Sequence, residues 1–325
     1  MVAFVTGLGL ALLLTPVTRW WLVRIELIDH PNLRSSHSTP VPRGGGAAVA
    51  IAALVALAVS DRTTPSLAIS VGALVMGVVG LIDDRVSLGT TPRLVAQFVV
   101  PISTMVWLLS GSDLSSEWLA VLGVAGIVWC AGYVNVFNFM DGINGISAAQ
   151  ATGAGVTLLA LADHFSIGVV VAAGAALAGA ALGFAVFNLR GSIFLGDVGS
   201  YFAGFWLAAT AIVAVARGVP VESVLGPFAL YLADAAVTLV RRWRRGAPVL
   251  EAHREHAYQR LHQLGWSHAA ISGIVLGVIA VSGLASVALV DADRPVRLLG
   301  LALCVGMAAS FVTLPGALSR RRASV

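Results

Sequence analysis

Residues 118–147 read WLAVLGVAGIVWCAGYVNVFNFMDGINGIS. Seventeen residues without a charge lead into Asn135, Asn138, Asp141 and Asn144, set among Val, Phe, Met and Ile. A run of this kind is a bilayer span, because about 20 mostly apolar residues cross the hydrocarbon as a helix. Amides and a carboxylate at its end are costly unless they face water, a metal or a ligand. The stretch therefore predicts a membrane-crossing helix that delivers a chemical site at its end. Asn138, Asp141 and Asn144 are three apart and would share one face of a continuing helical turn, while Gly142 and Gly145 admit a close backbone or ligand. The amides suit a base or sugar, and the carboxylate suits a metal or a ligand N–H.

Composition extends this reading to the whole chain. Of 325 residues 58% are hydrophobic and 11% charged, with a mean hydropathy of +0.90, against about 25% charged in soluble domains. The fold class expected is an all-α polytopic membrane protein, a single domain over 1–325. All 20 basic residues are arginine, so no lysine Schiff base is available. The arginines flank apolar runs and read as topology signals, which excludes nucleic acid as a partner. Cys130 and Cys304 lie inside apolar segments without a C-x-x-C pattern, which removes zinc and redox chemistry. The first apolar run has no basic region before it and reads as a retained span.

Eleven spans are expected, near 2–22, 44–60, 65–82, 93–110, 118–134, 145–162, 166–187, 199–216, 221–240, 268–290 and 296–314. With this count, sixteen arginines fall on one side and four (Arg62, Arg217, Arg294, Arg297) on the other. The positive-inside rule then puts the N-terminus in the periplasm and the C-terminus in the cytoplasm. The polar connections near 24–43, 83–92, 135–144, 188–198 and 241–267 all come to the cytoplasmic face, where function is expected.

Each of these connections carries candidate chemistry. Ile28–Gly46 holds His37, Arg43, Pro31, Pro40, Pro42 and the triple glycine 44–46. It cannot be helical before the glycines, which could cradle an anion beside Arg43 or form a stiff connection. Asp83 and Asp84 end the third span; adjacent acids point about 100° apart on a helix and share a cation only at its end, where one could bind metal and the other act as a base. Phe194-Leu195-Gly196-Asp197 opens the eighth span, where Asp197 is either a helix cap or a hard-cation ligand and Phe194 could stack a base. Asp234, inside the ninth span, is expected to pair with Arg241 or Arg242. His253 and His256, three apart with Arg254 between them, could face one way on a helix and suit phosphate better than zinc. Several acids, an asparagine cluster and a His/Arg loop on one face make a kit for Mg²⁺-assisted phosphoryl transfer on a nucleotide substrate.

Five motifs in order, HSTPVPRGGG, GLIDDR, NVFNFMDGINGIS, FLGDVGS and HREHAYQRL, make the chain resemble the polyprenyl-phosphate N-acetylhexosamine-1-phosphate transferases. That family includes the enzymes that initiate O-antigen and enterobacterial common antigen and is related to the phospho-MurNAc-pentapeptide translocase. The resemblance implies a bacterial inner-membrane enzyme that moves a sugar 1-phosphate from a UDP-N-acetylhexosamine to undecaprenyl phosphate and releases UMP, with Mg²⁺ or Mn²⁺ as cofactor; it leaves a homodimer open. It further implies Asp197 and Asp141 as metal ligands and Phe194 against the uracil. Asn138 and Asp141 would lie in the nucleotide site, with Asn135 and Asn144 beside them. Asp83 and Asp84 would work on the lipid phosphate, His253, His256 and Arg254 would contact the sugar diphosphate, and His37 or Arg43 would supply the basic residue near the Thr-Pro pair. Asn144 stands where many relatives have aspartate. The spaced HREH form points to the initiating branch and away from the translocase. A secondary transporter would place its acids at mid-span and show repeated halves, and an intramembrane aspartyl protease would need a glycine two before Asp197; the sequence has neither.

Overall fold

The computed structural model describes residues 1–31, 39–248 and 253–323. Each of the eleven apolar runs forms a helix, because in the absence of water only intrachain hydrogen bonding satisfies the backbone. In chain order these are α1 (Val2–Arg24), α2 (Gly46–Ser60), α3 (Thr64–Val86), α4 (Thr90–Leu108), α5 (Ser116–Met140), α6 (Ile146–His164), α7 (Gly168–Asn188) and α8 (Gly196–Ala216), then a broken segment, α12 (His268–Ala288) and α13 (Arg294–Ala323). By length and composition eight of these segments suffice to cross a membrane, among the described residues; α2, α4 and α6 do not reach that mark on their own.

The ninth segment, long and apolar enough for one span, is not one continuous helix. It runs as α9 (Val221–Leu225), a 3₁₀ turn (Gly226–Phe228) and α10 (Ala229–Arg244). Pro227 lacks the N–H that a continuous helix would use there. A short helix, α11 (Ala257–Gln263), lies in the following connection, and the only strands among the described residues are β1 (Ile28–Asp29) and β2 (Val41–Pro42). These two pair antiparallel, Ile28 with Pro42 and Asp29 with Val41, and so pin the base of the proline-rich loop.

Helix α8 is the axis of the bundle, buried along nearly its whole length and packed by α2, α3, α5, α6 and α7. Small residues set these approaches, as van der Waals packing in lipid requires. A Cβ on Gly80 of α3 would lie 2.1 Å from the Asp197 carbonyl oxygen, and one on Gly46 of α2 would lie 2.1 Å from Gly199 Cα. Both contacts sit at the same end of the bundle, so three helix ends converge there.

Candidate active site

The loop before α2 is held against the start of α8 by its backbone. Phe194 N–H donates to the Pro42 carbonyl at 2.9 Å, Gly45 N–H donates to the Phe194 carbonyl at 2.8 Å, and Gly46 N–H donates to the Leu195 carbonyl at 2.8 Å. Gly44 N–H also points at the Phe194 carbonyl, at 3.3 Å. The triple glycine is therefore not an anion cradle: its donors are spent on carbonyls, and it acts as a packing seam. What the seam delivers is Arg43.

Arg43 Nε lies 2.6 Å from Asp84 Oδ1, and its Nη2 lies 2.9 Å from Asp197 Oδ1. Burial alone would lower the Arg43 pKa, but the fields of Asp197 and Asp84 raise it above its ordinary value. Asp84 also accepts from Asp197 N–H at 2.9 Å and Val198 N–H at 3.0 Å. A carboxylate from α3 thus caps the N-terminus of α8, where the helix dipole favours negative charge. Gly196, at φ +75°, is required here, since a Cβ would come within 2.7 Å of Asp84 Oδ2.

Asp83 and Asp84 diverge. Asp83 accepts from Leu88 N–H at 2.8 Å and from the Tyr201 hydroxyl at 2.9 Å, with Arg93 3.5 Å away. They form no shared cation site. Asn138 donates to Asp197 Oδ1 and to Ser200 Oγ, both at 2.9 Å, so the polar end of α5 meets the acid of α8.

Helix α5 stops at Met140, and Asp141 takes a non-helical cap conformation (φ −85°, ψ 64°). Asn138, Asp141 and Asn144 therefore do not share a helical face; the chain turns at Gly145 (φ +89°), whose N–H donates to Asn188 Oδ1 at 2.6 Å. Asp141 Oδ1 accepts from Ser147 at 2.6 Å. Burial pushes the Asp141 carboxyl up to about 7, the Ser147 hydrogen bond opposes this, and the nearby Asp197 and Asp84 charges add to it. Asn144 is tied by its backbone to α12, its carbonyl accepting from Ser272 at 2.8 Å. Asn135 lies apart from the acids, donating to Gln97 on α4 at 2.6 Å.

The HREH segment is not a helix face either. His256 is the N-cap of α11, buried, with Nδ1 3.3 Å from Asp234 Oδ1. Asp234 is fully buried; it also accepts from Ala257 N–H at 3.0 Å and Thr238 at 3.1 Å. It pairs with the histidine loop, not with Arg241 or Arg242; Arg242 goes to Glu255. Tyr258 donates to the Phe139 carbonyl at 3.0 Å, which docks this loop on the end of α5. The His253 ring lies 4.9 Å from that of His256, tilted by 32°. Burial, then His256 and Arg242, lower its pKa to about 4, so it is neutral at neutral pH. His37 lies outside the described residues.

The structure thus gathers Arg43, Asp84, Asp197 and Asn138 in direct contact, with Asp141 adjacent. Ser200, three residues after Asp197, was legible as a same-face partner. Ser147 and Asp234 were not, since their roles come from a turn and a distant loop. Among the described residues no three acidic, histidine or cysteine side chains converge as an all-protein metal cage. Asp141 and Asp197 each use only Oδ1 in the contacts above, leaving one carboxylate oxygen apiece. Such a hard-oxygen set fits Mg²⁺, which takes one or two carboxylates and keeps sites for water and substrate phosphate.

Residues 66–215 match the domain signature described as Glycosyl transferase family 4. The chain is 26% identical to a Bacillus subtilis (strain 168) protein named "Probable undecaprenyl-phosphate N-acetylglucosaminyl 1-phosphate transferase", over 82% of this chain and 78% of that one. It is 29% identical to the decaprenyl-phosphate N-acetylglucosaminephosphotransferase of Mycobacterium tuberculosis (strain H37Rv), covering 88% and 82%. It is 28% identical to the undecaprenyl-phosphate alpha-N-acetylglucosaminyl 1-phosphate transferase of Salmonella typhi, covering 75% and 71%.

Proposed function

We propose that the chain is a polyprenyl-phosphate N-acetylhexosamine-1-phosphate transferase, a reading supported by the glycosyl transferase family 4 match and the named relatives, and that it moves N-acetylhexosamine 1-phosphate from a UDP-sugar to undecaprenyl phosphate, releasing UMP. The relatives' names make N-acetylglucosamine the first sugar to test and do not favour the peptidoglycan translocase. The observation that carries the reading is a local excess of buried carboxylate where the ends of α3, α5 and α8 meet. Asp84, Asp197 and Asp141 gather about one guanidinium, Arg43. Buried negative charge in excess calls for a cation.

Asp197 and Asp141 would hold Mg²⁺, which when bound supplies charge neutralisation to the diphosphate. Asn138 orients Asp197. Arg43, fixed by Asp84, stands ready to meet a phosphate oxygen. Asp84, with its oxygens committed to two N–H groups and Arg43, is a positioning residue, leaving Asp83 the acid of the pair to orient the lipid phosphate. An oxygen of that phosphate attacks the β-phosphorus in line; the bond to the bridging oxygen breaks and UMP departs. Neutral His253 is placed to donate to or accept from the sugar diphosphate, and the buried His256 and Asp234 hold its loop.

In this reading the chain is a multi-pass protein of the bacterial inner membrane. Eleven segments insert, with the N-terminus outside and the site toward the cytoplasm, where sixteen of the twenty arginines would lie. The experiment is UMP release from UDP-N-acetylhexosamines with undecaprenyl phosphate, with and without Mg²⁺. Metal-dependent UMP from at least one sugar is expected; none from any sugar overturns the proposal. Exchange of labelled UMP into the UDP-sugar without lipid acceptor would identify a covalent aspartyl-phosphate route, and its absence supports direct attack.

A further inference from the structure

A second concentration of charge lies away from the carboxylates and has the opposite sign. Between α10, α11 and α13 a cavity of about 730 Å³ is lined by Arg241, Arg245, Arg254, Arg260 and Arg320, with Glu255 the one acidic lining residue among the described residues. Glu255 is already engaged, by Arg242 and Arg245. Among the described residues no carboxylate pairs with Arg241, Arg260 or Arg320. Arg260 sits over α13, where a Cβ on Gly316 would be 3.9 Å from its Nη2. Its pKa is held below the ordinary value first by burial and then by Arg241. Guanidinium groups that outnumber the nearby carboxylates repel one another, and a bound anion lowers that cost.

The surroundings say what kind of anion. Val312, Gly316 and Ala317 form an apolar wall on α13. A second cavity of about 490 Å³ runs along α10 past Ala236, Val237 and Val240 and shares Arg241 and Arg245 with the first. Cationic headroom joined to an apolar groove, at the end of two apolar helices, matches an amphiphile with an anionic head and hydrocarbon tail. No residue of the Arg43–Asp84–Asp197–Asp141 cluster lines either cavity.

We propose that this cavity binds the phosphate headgroup of an anionic phospholipid from the surrounding leaflet, at a site separate from the carboxylate cluster. The proposal rests on the membrane reading and not on the transferase reading, so its test reads binding. The protein is extracted from phosphatidylcholine bilayers containing phosphatidylglycerol, and the retained lipid is weighed by native mass spectrometry. Wild type is expected to keep phosphatidylglycerol, while Arg241→Gln/Arg320→Gln keeps about 25-fold less, at about fivefold per arginine. Arg320→Gln alone, at the exposed end of α13, touches no core packing and should lose about fivefold. The charge-matched Arg85→Gln/Arg190→Gln, outside the cavity, should retain lipid like wild type. Equal retention by the cavity variants overturns the proposal, as does equal loss in the control, which would mean surface charge only. Displacement of the lipid by inorganic phosphate alone would make this a free-phosphate site. Displacement by UDP-sugar or undecaprenyl phosphate would make it part of the substrate site.

Discussion

The two ends of the bundle handle buried charge in opposite ways. At the end where α9 begins, Glu222 is buried, yet Arg294 lies 2.9 Å from one carboxylate oxygen and Arg297 lies 3.7 Å from the other. Other connections on that side show ordinary turn chemistry, such as Asp61 accepting from Thr63 at 2.7 Å and Arg217 donating to the Ser110 carbonyl at 2.9 Å. At the other end Asp83, Asp84, Asp141 and Asp197 face only Arg43 and Arg93 among the described residues. One end is electrostatically complete without a ligand. The other crowds buried carboxylates around few guanidinium groups, an arrangement that favours uptake of a proton or an added cation.

If that contrast is right, charge removal should matter at one end alone. Asp197→Asn should have the largest effect, lowering UMP release by about a thousandfold and the Mg²⁺ response with it, while inserted protein on membranes stays unchanged. Full activity would remove Asp197 from the site. Asp84→Asn should cost about a hundredfold, because Arg43 loses its ion pair and the start of α8 loses a cap. Its mark is a loss in both turnover and melting temperature. Asp234→Asn should act through the histidine loop, costing about tenfold in turnover. A lost His253 response to pH, measured by imidazole NMR, would separate this from simple unfolding.

Much of this was legible in the sequence. Apolar run lengths gave the helices, since a backbone in lipid has no alternative partner. The acids and amides at the ends of α3, α5 and α8 were visible as costly residues in an apolar chain. What sequence could not give were partners fixed by tertiary approach. Gly44–Gly46 reads equally as an anion cradle or a seam, and only the Phe194 and Leu195 carbonyls decide it. Asp84 reads as a second catalytic acid until Gly80 is seen to bring it under Asp197. Asp234 reads as a partner for the arginines about two turns on, yet the closer claim comes from Ala257, 23 residues away. The even spacing of Asn138, Asp141 and Asn144 suggested a helical face, and the turn at Gly145, anchored by Asn188, breaks it.

The finer half of the comparison concerns Asp141, which is poised where Asp84 is locked. Its carboxyl is lifted to about 7, chiefly by burial, with one hydrogen bond from Ser147 working against the lift. A metal ligand must be ionised, so activity of the free enzyme should rise as pH passes through this value. Ser147→Ala removes a bond that favours the charged form. The folded pKa must then go up, and the acid limb of kcat/KM for the UDP-sugar should move to higher pH by about one unit. A downward shift would contradict the assignment. No shift would mean that another group sets the limb.

The smallest effect is expected at the completed end, and it is the sharpest check on the contrast. Glu222→Gln leaves Arg294, largely exposed, free to return to water, so stability should fall by only about 1 kcal/mol. Turnover and Mg²⁺ dependence should not change, because Glu222 is already paired within the protein. If Glu222→Gln impaired UMP release as strongly as Asp84→Asn while the protein remained folded, charge at both ends would be serving the reaction. The excess of carboxylate would then no longer mark the site, and a transport-like path linking the two faces would become the better account of these buried acids.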